Sequence, residues 1–409
     1  MTALNELEAS KSSLWRAGLP AVCLGWVWAR LCIASGFLTA HLLVDRLETP
    51  RGSEQIQQGL FTWDGAFYRG LAQQWYTRPL GGAGSGLSGE EARFFPVYPA
   101  LAKALGPLFG GHADWALIAI SNIAAFLGAW VLWKLATEVL QGQDQGEAAP
   151  TLGRSLESRS VGDRSVGDRS AVLIAIFPAA FVLAFAYSEG LALLVVAGTL
   201  LALHRRNFVL AGLLALLAAA IRPVGGLLLV PIAIELLRAH PRPRWWNWII
   251  GLGGPFLGLG LALIWIEQST GELLLPLRLQ RQIRGGFQDP VTRVLEPVGE
   301  LIRGNFRDVY NLGFMIVFLL LFIFMVLGAR SSGPKLPISW IAYSGVSLLF
   351  MLSSQVTDSL GRYGLLVVPF IVALALWADR RWRKLAVGIA CSAGLIWLTS
   401  EALLGRLVP

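Results

Sequence analysis

Positions 61 to 76 read FTWDGAFYRGLAQQWY, a segment that sets one carboxylate, Asp64, among six aromatic rings. A solvated loop does not need so many aromatic side chains, and a packed core accepts an unpaired acid only at a steep cost of desolvation. The segment follows an apolar run at positions 19 to 44 that is long enough to cross a bilayer. The stretch therefore indicates an acid at the edge of a membrane-embedded fold, close to lipid head groups.

The composition excludes a water-soluble globular protein. Of the 409 residues, 55% are hydrophobic and 15% are charged, and the mean hydropathy is +0.59. Residues 1 to 18 are polar, and the apolar run after them is too long for a signal-peptide core, so this run is predicted to be the first transmembrane helix. The three cysteines all lie in apolar segments, which argues against a zinc site or a disulfide framework.

The distribution of apolar runs and basic residues predicts the topology. About eleven runs approach the length of about 20 residues that a spanning helix needs. With a cytoplasmic N-terminus, the basic clusters at 205–206, 238–244 and 380–384 fall on the cytoplasmic side, and the short outer connections carry only Arg222 and Arg362. We therefore expect an all-α integral membrane protein, a single domain over 1–409 with about eleven transmembrane helices, in the plasma membrane. This distribution also explains the net charge of +8, so no nucleic-acid partner is expected.

Two outer loops are long, at 46–112 and 267–310, and these are the places where an enzyme would put chemistry on the extracytoplasmic face. The first loop contains Asp64 and the segment FFPVYP at 94–99, which is too short to span and predicts helices lying on the membrane surface, with Arg93 on their polar side. The second loop is basic, which suggests an anionic ligand. Its arginines are Arg278, Arg281, Arg284, Arg293, Arg303 and Arg307.

The segment 141–170 contains the tandem repeat RSVGD, is rich in Gly and Ser, and has almost no bulky apolar residues. This composition predicts a disordered cytoplasmic insertion without a catalytic role.

Several motifs occur in a fixed order: WDGAFY (63–68), FFPVYP (94–99), FPAAFVLAFAYSEG (177–190), GLLALLAAAIRPVGGLLLVP (212–231) and GRYGLLVVPF (361–370). In these motifs the sequence resembles the PIG-V-like mannosyltransferases of the GT-C glycosyltransferase superfamily. The resemblance implies a GT-C-like fold, a polyprenyl-phosphate-linked mannose as donor, a lipid or glycan hydroxyl as acceptor, and Asp64 as the residue that matches the family's catalytic aspartate. Membrane lipids are the expected surroundings of both substrates.

The sequence departs from the broader GT-C pattern because its first outer loop has no Asp-x-Asp or Glu-x-Asp pair. No metal or other cofactor is therefore expected, and the four histidines are too scattered to form a metal site. Arginine forks can stabilise a departing lipid monophosphate instead. The candidates for this role are Arg222, Arg362, Arg278, Arg281 and Arg284.

The proposed reaction is a single displacement with inversion, in which Asp64 takes the proton of the acceptor hydroxyl. Aromatic neighbours are expected to increase the basicity of Asp64 by partial desolvation and to offer an apolar floor for a sugar ring. The residues assigned to the sugar and the acceptor are Trp63, Phe67, Tyr68, Tyr187, Glu189 and Tyr363.

Each of these residues also has a structural explanation. Asp64 would suit the N-cap of a helix that starts near Gly65, and Glu189 would suit the first turn of the next helix. Arg222 would suit a helix C-terminus, and Trp63 would suit the aromatic belt of a membrane protein. A lipid or solute transporter is the alternative function, and a non-catalytic scaffold is a third reading that leaves the outer acids unexplained.

Overall fold

The computed structural model describes residues 17–47, 52–76, 90–144, 156–303, 309–330, 335–355 and 359–409. These residues are almost entirely helical, and their one isolated bridge joins Phe287 to Ser354. The all-helical class predicted from the sequence is therefore confirmed. The helices are α1 (Leu19–Leu43), α2 (Gly52–Gln58), α3 (Asp64–Gln74), α4 (Val97–Leu105), α5 (Ala113–Asp144), α6 (Leu156–Ile176), α7 (Glu189–His204), α8 (Phe208–Ile221), α9 (Leu229–Arg238), α10 (Trp245–Thr270), α11 (Leu275–Arg284), α12 (Pro290–Ile302), α13 (Val309–Gly328), α14 (Ile338–Leu352), α15 (Leu360–Leu366), α16 (Val368–Trp377) and α17 (Arg381–Leu403).

Five of these helices, α1, α5, α10, α13 and α17, are long and apolar enough to cross a membrane, and there are six spans if α15 and α16 together count as one. The expected number of eleven spans is not confirmed for the described residues. Helices α7, α8 and α14 are apolar but have only 16, 14 and 15 residues. These three helices are shorter than the roughly 20 residues that a bilayer requires.

Fewer helices than expected are long enough to span, because several apolar runs of the sequence extend beyond the end of the helix that they contain. Helix α6 ends at Ile176, Pro178 follows, and the chain continues as a 3-10 turn at Ala180–Leu183. After α8 a second 3-10 turn starts at Pro223, which lacks the backbone N–H that would continue the helix. Helices α15 and α16 meet at an angle of 84°. Hydropathy alone does not detect these breaks.

Both long loops that the sequence analysis expects on the outer side contain short helices. The described part of loop 46–112 forms α2, α3 and α4 with a 3-10 turn at Glu90–Arg93, while residues 77–89, which contain the Gly-rich turn, lie outside the described part. Loop 267–310 begins with the last residues of α10 and continues as α11 and α12. Apolar side chains of these two helices and their connection are exposed, including Leu277, Phe287 and Leu295. Such amphipathic helices suit the surface of a membrane.

The repeat segment is helical over 156–170 rather than disordered, and residues 145–155 lie outside the described part of the chain. The second RSVGD copy packs against α5: the Trp133 indole N–H donates to Asp168 at 2.7 Å, and the absence of a side chain at Gly167 lets α6 approach Thr137. Arg169 donates to the carbonyl of Ala375 at 2.8 Å. Composition gave no sign of these tertiary contacts, which stabilise a segment of weak intrinsic helix propensity.

Helices α8 and α10 pack with their backbones in close contact, and this contact positions the end of α8. Gly212 on α8 lies against the backbone of α10, and Gly254 and Gly258 on α10 lie against the backbone of α8. A methyl group at Gly258 would collide with the carbonyl oxygen of Leu216, whereas one at Gly260 would meet no atom within 4 Å. Small residues commonly permit such approaches between membrane helices.

We expect Gly258→Ala to destabilise the protein by about 1–3 kcal/mol, because the added methyl forces two backbones apart. Gly260→Ala is the matched control, since it makes the same change two residues away in open space and should leave stability unchanged or slightly improved. The midpoint of thermal unfolding in detergent micelles measures both. Equal midpoints for the two variants would contradict the packing described for α8 and α10.

Candidate active site

Asp64 is the first residue of α3, and its position is fixed by the residue before it. Trp63 has a φ of +55°, a backbone conformation that bulky residues rarely adopt and that indicates local strain. Its indole N–H donates to the carbonyl of Ala402 on α17 at 2.8 Å, and the backbone N–H of Ala186 donates to Leu60 at 2.9 Å. The helix begins at Asp64, one residue earlier than expected, so Asp64 is its first residue and not its N-cap. The Asp64 carboxylate accepts a hydrogen bond from Arg362.

Four charged side chains form one cluster, which we call the ion-pair cluster: Asp64, Glu189, Arg222 and Arg362. The Nη1 of Arg362 lies 2.5 Å from Asp64 Oδ2 and 3.4 Å from Glu189 Oε1. The Nη1 of Arg222 pairs with the same Glu189 oxygen. The Glu189 side chain is fully buried, and those of Arg362 and Asp64 are 7% and 16% exposed. The formal charges of the cluster cancel, as buried charges require.

The ends of short helices bring these charges together. Glu189 is the first residue of α7, where the helix dipole favours an acid, and Arg222 follows the last residue of α8 in an extended conformation. Arg362 lies on α15, the short arm of the bent pair. The Arg362 guanidinium lies 5.6 Å from the ring centre of Tyr363 and 5.8 Å from that of Tyr187. Such distances permit cation–π attraction.

A cavity of about 470 Å³ opens beside the cluster, and Asp64, Arg222 and Arg362 line it. Arg93 and Arg281 add two further guanidinium groups, so four cations face one carboxylate around this cavity. Its remaining wall is largely apolar. The apolar residues include Phe94, Phe95, Leu277, Phe287, Phe350 and Met351. A cavity of this kind suits an anion that carries an apolar chain.

The structure brings most of the sequence-predicted residues to this place. Six of them line the cavity: Asp64, Tyr68, Arg222, Arg281, Arg362 and Tyr363. Glu189 and Tyr187 are fully buried beneath it, where Glu189 binds both arginines of the cluster and the Tyr187 hydroxyl donates to the carbonyl of Thr62 at 3.2 Å. The Tyr68 hydroxyl shares a hydrogen bond of 2.9 Å with Ser188.

Three other predicted residues do not line the cavity. Trp63 directs its indole towards α17, and Phe67 stacks on Phe94 with 5.2 Å between ring centres. Arg278 pairs with Glu272 at 2.7 Å, with more than half of its side chain exposed. The side chain of Arg284 lies outside the described part of the structure. Trp63 and Phe67, which were expected to provide an apolar surface for the sugar ring, therefore do not form part of the cavity wall.

Arg93 is the cavity residue that the sequence analysis assigned to the membrane surface alone. It ends the 3-10 turn at Glu90–Arg93, and its guanidinium lies 4.7 Å from the ring centre of Phe67 and 4.9 Å from that of Phe94. Glu90 lies 3.8 Å from it, at the edge of ion-pair distance. The one available signal was an arginine directly before two aromatic residues, a pattern that is also typical of a membrane-surface helix.

The pKa of Asp64 corrects another expectation. Burial alone would raise this pKa, but the charge and hydrogen bond of Arg362, followed by the charges of Arg93 and Arg222, outweigh burial. The pKa of Asp64 therefore lies below its usual value of 3.8. The carboxylate is ionised at neutral pH but is a weaker base than the aromatic neighbours alone would make it.

Among the described residues, no three His, Cys, Asp or Glu side chains come together in a way that could bind a metal ion. The two acids of the cluster are bridged by Arg362 instead. The charged groups that line the cavity are four guanidinium groups and the carboxylate of Asp64.

No protein-family model and no curated protein sequence matches the chain. Comparison with solved structures finds the oligosaccharyltransferase of Archaeoglobus fulgidus. The form in complex with zinc and sulfate is 14% identical, with a TM-score of 0.40, over 77% of this chain and 44% of that one. The form tethered by a disulfide bond to an acceptor peptide with the NVT sequon is 14% identical, with a TM-score of 0.43, over 93% of this chain and 55% of that one.

A third form, named AglB and in complex with an inhibitory peptide and a dolichol-phosphate, is 13% identical, with a TM-score of 0.42, over 93% of this chain and 56% of that one. The chain thus spans about half the length of these neighbours. At such TM-scores the likeness assigns no chemistry to this chain.

Replacing Arg362 by Gln should destabilise the protein by about 3–5 kcal/mol, because two buried carboxylates lose a shared cation. The loss should be largest above pH 3.8, where Asp64 is ionised in the folded and the unfolded chain, and should shrink as the pH falls and Asp64 takes up a proton. Arg278→Gln is the control, because its exposed pair contributes at most about 1 kcal/mol. Thermal unfolding at pH 7 and pH 3 measures both variants. A midpoint of Arg362→Gln at pH 7 that is close to that of Arg278→Gln would contradict the buried pairing.

Proposed function

We propose that the protein transfers a hexose, with mannose as the first candidate, from a polyprenyl-phosphate-linked donor to a hydroxyl of a lipid or glycan acceptor. The transfer takes place at the extracytoplasmic face of the plasma membrane, with the N-terminus in the cytoplasm. The observation that carries this proposal is that Asp64 lines a cavity together with Arg222 and Arg362. A group that can accept a proton thus lies beside groups that can receive a departing phosphate.

The chemistry of the cavity supports a lipid phosphate as the leaving group. Four guanidinium groups around one carboxylate favour an anion, and guanidinium binds phosphate oxygens through paired hydrogen bonds. The apolar wall, which includes Leu277 and Phe350, suits the first part of a prenyl chain. A free sugar or a soluble sugar nucleotide would make little use of this wall.

The reaction follows from the positions of these groups. The acceptor oxygen attacks the anomeric carbon of the sugar as Asp64 takes the hydroxyl proton, and the new C–O bond forms on the face opposite the phosphate. The bond between the anomeric carbon and the phosphate oxygen breaks, and the polyprenyl phosphate leaves with the electron pair. Arg222 and Arg281 stabilise the negative charge on the leaving oxygen. The sugar inverts its anomeric configuration.

A lipid or solute transporter is the second candidate function. The 84° bend between α15 and α16, next to Arg362, favours it because transporters often bind substrates at broken helices. Binding and transport of an anion need the arginines but no proton acceptor. A change at Asp64 that keeps its shape and removes its proton affinity therefore separates the two candidates.

Asp64→Asn should lower the rate of sugar transfer by about 100- to 10,000-fold, which is the usual contribution of a general base. Binding of polyprenyl monophosphate should persist, because the asparagine keeps the shape and removes a negative charge beside the arginines. Asp379→Asn is the matched control, because Asp379 is exposed and pairs with Arg383 away from the cavity. Transfer of radiolabelled mannose from polyprenyl-phosphate-mannose in membranes measures the rate. Near wild-type transfer by Asp64→Asn would refute the role of Asp64.

Arg281→Gln should lower kcat/KM for the donor about tenfold, through a lower kcat as well as a higher KM, because a charge-assisted contact to the phosphate and to the charge on the leaving oxygen is lost. Arg278→Gln lies one helical turn away on α11 and should change neither constant, since Arg278 does not line the cavity. Steady-state kinetics over a series of donor concentrations compares the pair. Equal effects of the two substitutions would refute the proposed binding of the phosphate beside Arg281.

A further inference from the structure

The two carboxylate oxygens of Glu189 differ in their contacts. Its Oε1 lies next to Arg222 and Arg362, while its Oε2 is buried and has no hydrogen-bond partner among the described residues. A buried carboxylate oxygen without a partner is unfavourable and rare in folded proteins. The proposed function does not use this second oxygen, because Glu189 is fully buried and does not line the cavity.

Arg362 forms ion pairs with two acids but lies at hydrogen-bond distance from only one of them, Asp64. Its Nη1 is 2.5 Å from Asp64 and 3.4 Å from Glu189, so a shift of less than 1 Å would bring it into normal hydrogen-bond distance of Glu189. The unpartnered Oε2 leaves acceptor capacity on Glu189, so Arg362 could bind there without displacing Arg222. Glu189 is therefore prepared to hold both arginines.

The proposed reaction creates a need for this capacity. When Asp64 takes the acceptor proton it becomes neutral, and Arg362, which is 7% exposed, loses its nearest counter-ion. A buried guanidinium without a counter-ion is costly, so this step would be unfavourable if no other acid stood ready. Glu189 is the other acid in contact with Arg362 among the described residues.

We propose that Glu189 is a positioning residue that takes over Arg362 as Asp64 is protonated, and that its negative charge keeps Asp64 basic enough to act. This role rests on the proposed function, because it concerns the proton that Asp64 accepts. Glu189 touches neither the donor nor the acceptor. It acts through Arg362 and through its charge alone.

The direction of the effect follows from the charges around Asp64. Glu189 is a like charge that opposes ionisation of Asp64, whereas the arginines favour it. Loss of the Glu189 charge therefore weakens Asp64 as a base and leaves the arginines more attractive to a phosphate. The charged and titratable groups that face Asp64 from the packed elements are Arg93, Glu189, Arg222 and Arg362, together with the phenols of Tyr68 and Tyr187.

The test is a graded series at position 189 with polyprenyl-phosphate-mannose as donor. Glu189→Gln should lower kcat about 10- to 100-fold and move the acid limb of the kcat–pH profile to lower pH, because the base is weaker. The KM for the donor should not rise. Glu189→Asp keeps the charge but moves it away from Arg362, so its kcat and acid limb should lie between those of Glu189→Gln and the wild type. Glu235→Gln, a partly buried acid that accepts from Ser339 on α14, is the control and should behave as wild type.

A second measurement does not depend on transfer. Purified Glu189→Gln should bind polyprenyl monophosphate about tenfold more tightly than the wild type, since one nearby negative charge is gone. Glu189→Asp should be close to the wild type in this assay. Unchanged affinity in Glu189→Gln would overturn the charge effect even if the protein has another activity.

The possible failures are distinguishable. If the wild type transferred no sugar from any polyprenyl-phosphate donor, the proposed function would be refuted. The affinity of Glu189→Gln for polyprenyl monophosphate would then still test the charge effect of Glu189. An active wild type with an unmoved acid limb in both position-189 variants would refute the role of Glu189 alone. A fall in kcat with an unchanged pH profile and unchanged phosphate affinity would also refute it, because that result indicates a merely structural acid.

Discussion

The ion pair between Arg362 and Asp64 joins parts of the chain that are 298 residues apart. It ties the start of α3 to the bent helix pair α15 and α16, and Glu189 extends the same contact to the start of α7. Each of these charges is stable in its buried position only because the others are present. The site and the packing of the helix ends around it therefore depend on this contact.

The short helices explain why the cavity lies where it does. Helix α7 begins at Glu189 and α8 ends before Arg222, so both stop at the ion-pair cluster. The space beyond these ends is lined by residues of α3, of the 3-10 turn at Glu90–Arg93 and of α11, which belong to the two long loops. The helix bundle thus provides the buried charges, and the loop helices provide the rim with Arg93 and Arg281. A ligand would contact both parts at once.

The sequence identified the charged residues that come together better than it indicated their geometry. Asp64, Glu189, Arg222 and Arg362 stand out because a charge in an apolar segment needs a partner or a use, and the structure pairs all four. The eleven spans expected from hydropathy are not confirmed among the described residues, because proline breaks such as Pro223 leave hydropathy unchanged. The direction of a side chain also depends on local backbone: the left-handed φ of Trp63 turns its indole towards α17. No periodicity in the sequence indicates such a conformation.

The separation of the cluster partners along the chain has a consequence for biogenesis. Glu189 and Arg222 are 33 residues apart and can neutralise each other as soon as α7 and α8 have entered the membrane, whereas Asp64 must wait for Arg362. Because domains mature from the N-terminus during synthesis, Asp64 lacks this counter-ion until the ribosome has passed residue 362. A nascent chain truncated before α15 would keep the pair of Glu189 and Arg222 but leave Asp64 without the arginine that contacts it in the folded protein.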